Sequence, residues 1–413
     1  MNTDKKITII GAGISGLITA IELEKLGYHP TIIEATDRVG GRVKTDLVDG
    51  LQLDHGFQVL LEAYPQAKKY LNFGDLELQK LVPGAIIYKN GKSTLIGDPL
   101  RNFSLLIPTI LSNIGSIKDK LAIFRLNLEL KNKTIDAIFN EKQLSTLDYL
   151  KKKGFSNRII QNFFRPFFSG IFLETQLRTS SAMFQFTYKM FGEGLAVIPK
   201  TGIQAIPNQL QSVLKKTTFK FNTKVKTVQG NQINLDNGIV MNSDVIVIAT
   251  EASKLLGMEK SINWKSCDTL YFEVENKTIK KPIIGLLTND AALINNFFFT
   301  TSIKNNNTTK VEVLSVTIVK EHHLSETELI TQVKKELQQN CKIVTKRFIK
   351  RYHIKNALPD LEQVTNEGTT KHFQFSDHIY LAGDHQINGS LNAAMSSGAL
   401  VAQLISDRFE CKD

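Results

Sequence analysis

Lys6-Ile7-Thr8-Ile9-Ile10-Gly11-Ala12-Gly13-Ile14-Ser15-Gly16 is the stretch that decides the fold of this chain. A β-branched run ends in Gly-x-Gly-x-x-Gly. After it, Ile14, Leu17, Ile18, Ile21, Leu23 and Leu26 recur at helical spacing until Gly27 stops the helix. A second apolar run, Thr31-Ile32-Ile33, closes on Glu34. Strand, glycine turn, helix and acid-ended strand are the parts that bind the adenosine diphosphate half of a dinucleotide. Gly11 permits the tight turn, Gly13 lets backbone approach a pyrophosphate, and Gly16 lets the helix pack close to the sheet. The helix N-terminus, at Ile14 and Ser15, turns its N–H groups and positive dipole end to the phosphates. Glu34, with Ala35 beside it, is placed to accept hydrogen bonds from the ribose hydroxyls.

An acid at that position favours an unphosphorylated ribose without separating NAD from FAD. The next residues do separate them. Glu34-Ala35-Thr36-Asp37-Arg38-Val39-Gly40-Gly41-Arg42 resembles the start of the flavin-containing amine oxidase superfamily, which includes amine oxidases, protoporphyrinogen oxidases, phytoene desaturases and carotenoid isomerases. The resemblance implies that Gly40 and Gly41 let the backbone pass the FAD diphosphate while Arg42 pairs with it, as a guanidinium fork suits phosphate oxygens. It returns at Asp377-His378-Ile379-Tyr380-Leu381-Ala382-Gly383-Asp384 and the small-residue stretch from Gly389 through Ser390 and Leu391 to Gly398. There it implies that Asp384 binds the ribityl-diphosphate region. The following helix would aim its positive end at the flavin pyrimidine, stabilising charge on the reduced ring. Between the ends, Asn222 to Val228 resembles the strand whose backbone meets the adenine, with Val225 the contact, and Asp244 to Thr250 resembles the next core strand. The likeness thus runs over nearly the whole chain.

What the family implies for fold is an α/β chain. Its two-dinucleotide-type, Rossmann-like FAD domain has an inserted β-meander and is joined to a mixed α+β substrate domain. Residues Phe219 to Thr250 read as the meander, broken at Gln229-Gly230-Asn231 and at the hairpin signal Asp236-Asn237-Gly238. The FAD domain is then discontinuous, from residues 1–75, 200–257 and 365–413. Residues 76–199, largely helical after Pro99, and 258–364 make the substrate domain. In the latter, Thr269 to Val274 reads as strand, and Ser325 with Glu328 forms a capping box opening a polar helix to Asn340.

Composition narrows the class. The 413 residues carry 51 basic against 40 acidic side chains, net +11, but no segment interleaves basic and aromatic residues as a nucleic-acid site would. Three widely spaced cysteines, Cys267, Cys341 and Cys411, fit a reducing cytoplasm and FAD held non-covalently. No signal peptide or membrane-length apolar run is expected. No Cys or His cluster has metal-ligand spacing: His322 and His323 are adjacent, and His385 reads as part of the cofactor loop.

Two features bear on the chemistry. Asp54-His55-Gly56-Phe57 sits where the family runs alongside the flavin ring. Gly56 allows close approach, Phe57 gives an aromatic wall, and His55 reads either as general base or flavin-carbonyl donor, or as a histidine satisfying a backbone carbonyl. The second feature is the phenylalanine density around Phe163-Phe164-Arg165-Pro166-Phe167-Phe168 and on to Phe191. Core packing, a channel for a long apolar substrate (Phe57, Phe164, Arg165 and Phe168 as contacts) and peripheral membrane contact are the competing readings. Arg165 among these rings needs an acidic partner.

Departures from the amine oxidase branch matter. Ser390 follows Gly389 where that branch places an aromatic residue, and its flavin-side lysine has no counterpart around Cys267-Asp268-Thr269. The expectation is therefore an FAD-dependent enzyme that dehydrogenates or desaturates an apolar, isoprenoid- or polyene-like substrate, with hydride passing to flavin N5. A redox-neutral polyene isomerase and a non-catalytic lipid carrier on the same fold are the alternatives. Substrate identity, electron acceptor and oligomeric state are not written in the sequence.

Overall fold

The computed structural model describes residues 4–97, 114–259, 261–368 and 370–410. The stretch expected to turn helical after Pro99 lies outside the described residues as far as Asn113, and helix begins at Ile117.

The opening strand, Ile7–Ile10, is buried along its length and takes the centre of a five-stranded parallel sheet, as a continuous β-branched run should. Its neighbours are Thr31–Ile33 and Val245–Ile248, with Thr218–Lys220 and Ile379–Leu381 at the edges. Residues from the beginning, middle and end of the chain therefore share one sheet. The helix Ile14–Lys25 packs on it and against the last helix, Leu391–Glu410, at near-backbone contact. A Cβ at Gly398 would overlap the Ser15 carbonyl oxygen, so this crossing admits only glycine.

The meander is real but narrower than the sequence reading. Val225–Gln229, Gln232–Leu235 and Val240–Asn242 pair antiparallel, whereas Thr218–Lys220 and Val245–Ile248, assigned to it from sequence, pair parallel inside the main sheet. The reason is burial. Val245–Ile248 is buried on both faces, which suits a central parallel strand and not a half-solvated hairpin.

A seven-stranded mixed sheet stands opposite. Its order runs Thr345–Pro359, Trp264–Val274, Glu312–Ile318, Ile294–Phe299, Ile284–Leu287, Gly84–Lys89, Lys92–Gly97. All pairs are antiparallel except Ile284–Leu287 with Gly84–Lys89, which joins segments about 200 residues apart in parallel register. The helix Glu326–Cys341 covers one face, opened by the expected Ser325/Glu328 capping box. Helices between Ile117 and Glu193 build a second, phenylalanine-rich body.

One helical segment breaks the ordinary period. Ile160–Phe164 is a π-turn, in which the Arg165 N–H reaches back to the Ile160 carbonyl, before an α-helix resumes over Arg165–Phe172. Pro166 supplies the cause: without an N–H it cannot donate into the preceding turn.

Candidate active site

The two ends of the chain meet at one place. Gly13 bridges to Gly40, and the Gly40 N–H donates to the Ala12 carbonyl at 2.9 Å. A Cβ on Gly41 would lie 3.3 Å from the Gly13 Cα, so Gly40–Gly41 packs directly on the glycine turn. From the far end, the Gly383 N–H donates to Ser397 Oγ at 3.0 Å, and Ser397 Oγ contacts Ser15 Oγ at 3.3 Å. Arg42 closes the arrangement by pairing with Asp384, donating to the Ala357 carbonyl at 3.2 Å and lying 5.2 Å over the Trp264 ring. Burial alone would raise the Asp384 pKa, but the Arg42 guanidinium and then a hydrogen bond from His385 outweigh it and hold the carboxyl well below the ordinary range.

These residues cradle a cofactor by shape. A Cβ at Gly13 would meet nothing within 4 Å, because the position faces open cavity, whereas one at Gly16 would strike the Gly11 carbonyl. Backbone can therefore approach a phosphate at Gly13 while the helix stays seated at Gly16. Glu34 is already engaged: its Oε2 accepts from the Ala12 N–H at 2.8 Å, and its Oε1 accepts from the Thr36 N–H and hydroxyl at 2.9 and 2.7 Å. That leaves spare lone-pair capacity chiefly on Oε2. Ser390 caps the last helix, accepting from the Ala393 N–H at 3.0 Å and donating to Asn388 at 2.8 Å.

A single cavity of about 930 Å³ continues from this cradle into the aromatic body. Of the residues expected at a cofactor or substrate, Gly11, Gly13, Ile14, Ser15, Glu34, Gly40, Gly41, Arg42, Gly56, Phe57, Gly383, Asp384, Ser390, Leu391 and Phe168 line it, as does His55. The other expected residues do not. Gly16 packs helix on turn, and Ala35 is exposed beyond the strand. Val225 is buried in the small core under the meander, two residues after Thr223, whose N–H donates to the Glu34 carbonyl.

Phe164 and Arg165 are corrections. Phe164 is fully buried among Phe155, Phe168 and Phe184, and Phe163, Phe167 and Phe172 face the cavity instead. Density of rings in the sequence does not show which of them a helix turns to the cavity. Arg165 also lies off the cavity wall, forms no ion pair among the described residues, and leaves its Nε buried without a partner.

His55 reaches the cavity with its ring 4.4 Å from Tyr352. Its Nε2 lies 2.9 Å from Asp46, which also accepts from the Tyr352 hydroxyl at 2.9 Å and from Arg38 at 2.5 Å. Those three hydrogen bonds outweigh burial and hold the Asp46 carboxyl below its ordinary pKa, so it is a fixed negative anchor for the imidazole. Next to it, burial pushes Asp54 up to about 6, against hydrogen bonds from Thr45 and the Ile203 N–H.

Sequence reasoning missed Lys265. It lies two residues before the stretch searched for a flavin-side lysine, is buried on the cavity wall, and sits 3.2 Å from Thr179 Oγ1 and 3.4 Å from Asp360. Desolvation lowers its pKa, opposed by Asp360 and Glu174. Its burial, the property that marks it, is visible only in the structure.

A glycine cradle assembled from both chain ends, opening onto an aromatic-lined chamber, defines a flavoprotein of the two-dinucleotide fold, and FAD is its cofactor. The chain belongs to the flavin-containing amine oxidoreductase family, whose model matches residues 14–406, and it is an FAD-dependent oxidoreductase. It is 25% identical to the 15-cis-phytoene desaturase of Capsicum annuum, over 98% of this chain and 78% of that protein. It is 23% identical to the coproporphyrinogen III oxidase of Bacillus subtilis (strain 168) over 301 residues, which span 62% of this chain and 61% of the relative, so under two thirds of that relative's length is matched. An oxidoreductase from Methanosarcina mazei superposes with a TM-score of 0.73 at 15% identity, over 96% of this chain and 100% of that one, and so shares the fold. Among the described residues, no helix is long and apolar enough to cross a membrane.

Proposed function

We propose that this enzyme dehydrogenates or desaturates an apolar, isoprenoid- or polyene-like substrate bound in the aromatic chamber. One observation carries the reading: the cavity that holds the cofactor cradle is continuous with a wall of Phe163, Phe167, Phe168, Phe172 and Phe191. Such a wall binds hydrocarbon by burial and offers few polar groups to a charged substrate. FAD held by Gly13, Gly40, Gly41 and Arg42 would supply a two-electron acceptor for hydride from a substrate carbon at flavin N5, and oxygen or a quinone would be the final oxidant.

The protein's own part is shape and water exclusion. Gly56, with φ +91°, presents backbone to the cavity without a side chain and would let a flavin ring approach closely, and Phe57, 5.1 Å from Phe298, would wall the adjoining space. His55, held through Nε2 by Asp46, keeps Nδ1 for the proton that leaves with the hydride. A relative named 15-cis-phytoene desaturase supports the polyene-like substrate class.

The test is anaerobic mixing of the holoenzyme with apolar compounds extracted from the purified protein. Stoichiometric and lasting bleaching of the flavin band is the expected result. Product formed without net bleaching would replace the reading with redox-neutral isomerisation. No change in either, for every extract and for added polyenes, would leave the chamber without its proposed substrate class.

A further inference from the structure

The helix Ile117–Asn132 has two apolar faces, and only one of them packs against the rest of the described residues. Its inner face, with Leu126 and Leu130 at 2% and 1% exposure, packs on the helix Ser181–Glu193 and the core. On the opposite side Ile117, Leu121, Phe124 and Leu128 are 77%, 54%, 48% and 48% exposed. At about 100° per residue these four fall within an arc of about 60°, so they form one ridge and not four scattered side chains. Isolated exposed leucines need no explanation, but a ridge along a whole helix does.

The charges beside the ridge indicate its partner. Lys118 and Arg125, both exposed, flank it on one side, and exposed Lys131 on the other. The two acids of the helix are occupied: Asp119 is buried, accepting from Ser116 and Ser156, and Glu129 pairs with Lys153 at 2.5 Å. An apolar ridge between two basic margins suits an anionic lipid surface, with side chains entering the acyl boundary and cations at the headgroups. The location adds a third observation. Phe124, exposed on the ridge, also lines the cavity, together with Lys120, Ile123 and Asn127 of the same helix.

We infer that this helix docks the enzyme on an anionic membrane surface and that the cavity opens onto that surface beside Phe124. A substrate dissolved in the bilayer then enters the chamber without crossing water. The inference rests on the apolar-substrate reading of the same cavity, but its test needs no turnover.

The experiment is flotation of the FAD-loaded protein with vesicles of phosphatidylcholine alone and with phosphatidylglycerol added. The native protein is expected to float with anionic vesicles, less with neutral ones, and less as salt rises. Ile117→Glu/Leu121→Glu/Leu128→Glu, all off the cavity wall, is expected to lower the bound fraction at least about tenfold, with flavin content and circular dichroism unchanged. If the triple variant does not fold, Lys118→Gln/Arg125→Gln carries the test, with a loss of about tenfold on anionic vesicles only. Equal flotation of native and variant, or none by the native protein, overturns the inference. So does a native dimer that the triple variant converts to monomer without vesicle binding by either, which would assign the ridge to a second copy of the chain. Failed flotation leaves the flavin chemistry standing, and failed bleaching leaves flotation standing.

Discussion

The cofactor cradle and the aromatic chamber are parts of one cavity built on opposite principles. In the cradle the working groups are backbone, and the sequence contributes mainly by omitting side chains: Gly13 faces open space, and Gly16, Gly40 and Gly383 leave no room for a Cβ. In the chamber the working groups are side chains on helices and strands from many separate stretches of chain. A site made of omitted atoms fails abruptly when one is added. A site made of many rings changes by degrees.

The sharpest break of that contrast is Gly16→Val, whose Cβ would overlap the Gly11 carbonyl oxygen. We expect a loss above about 4 kcal/mol and a flavin-free chain, read by chemical denaturation and visible absorbance. A variant that folds and holds flavin would show that the helix can shift and the cradle is not rigid.

Arg42→Ala comes next. It strands Asp384, 6% exposed at its side chain, without its counter-ion. After discounting for the part-exposed Arg42, the cost is about 2 kcal/mol, with weaker FAD retention. Adding Asp384→Asn should restore stability without restoring flavin, separating the fold's need for the pair from the cofactor's. Unchanged flavin content in the single variant would remove Arg42 from the diphosphate site.

Phe191→Ala probes the other region. Its ring packs 5.5 Å from Phe167 on the chamber wall. We expect flavin content to hold and kcat/KM toward the extracted apolar substrate to fall about tenfold, or about 1.4 kcal/mol. Loss of flavin instead would show that the two regions are not separable.

The smallest effect lies at the seam, where the Asp54 carboxyl accepts from Thr45 and the Ile203 N–H, and its carbonyl accepts from Tyr271. With a folded-state pKa of about 6, the folded chain keeps a proton that the unfolded chain releases between pH ~4 and ~6. This contribution is therefore full at low pH and lost as pH rises through that window. Asp54→Asn should gain about 1 kcal/mol per pH unit relative to the native protein as pH rises from ~4 to ~6, read as the difference of their unfolding midpoints. A flat difference would mean Asp54 titrates alike in both states.

The same contrast explains what was legible. Gly11, Gly16, Gly40 and Gly383 are readable because only glycine meets their steric demand, and the demand recurs at fixed spacing. The Ser325/Glu328 cap and the two meander turns are readable because they are settled within a few residues. The parallel pairing of Gly84–Lys89 with Ile284–Leu287 leaves no local mark, since either strand would suit many neighbours. Phe164 was named from the density of phenylalanines alone, which does not tell the rings that face the cavity from those that face the core. Lys265 escaped because a lysine in a strand reads as solvated until the strand's burial is known.

The contact between Arg42 and Asp384 spans 342 positions of sequence. On the ribosome, the opening βαβ unit emerges long before its counterpart, so the nascent chain carries half a cofactor site through most of its synthesis. A message cut short anywhere before Gly383 yields a polypeptide without Asp384 and the final helix. Such truncation products should accumulate as colourless, protease-sensitive material, and yellow colour in a preparation would report that translation had passed that point.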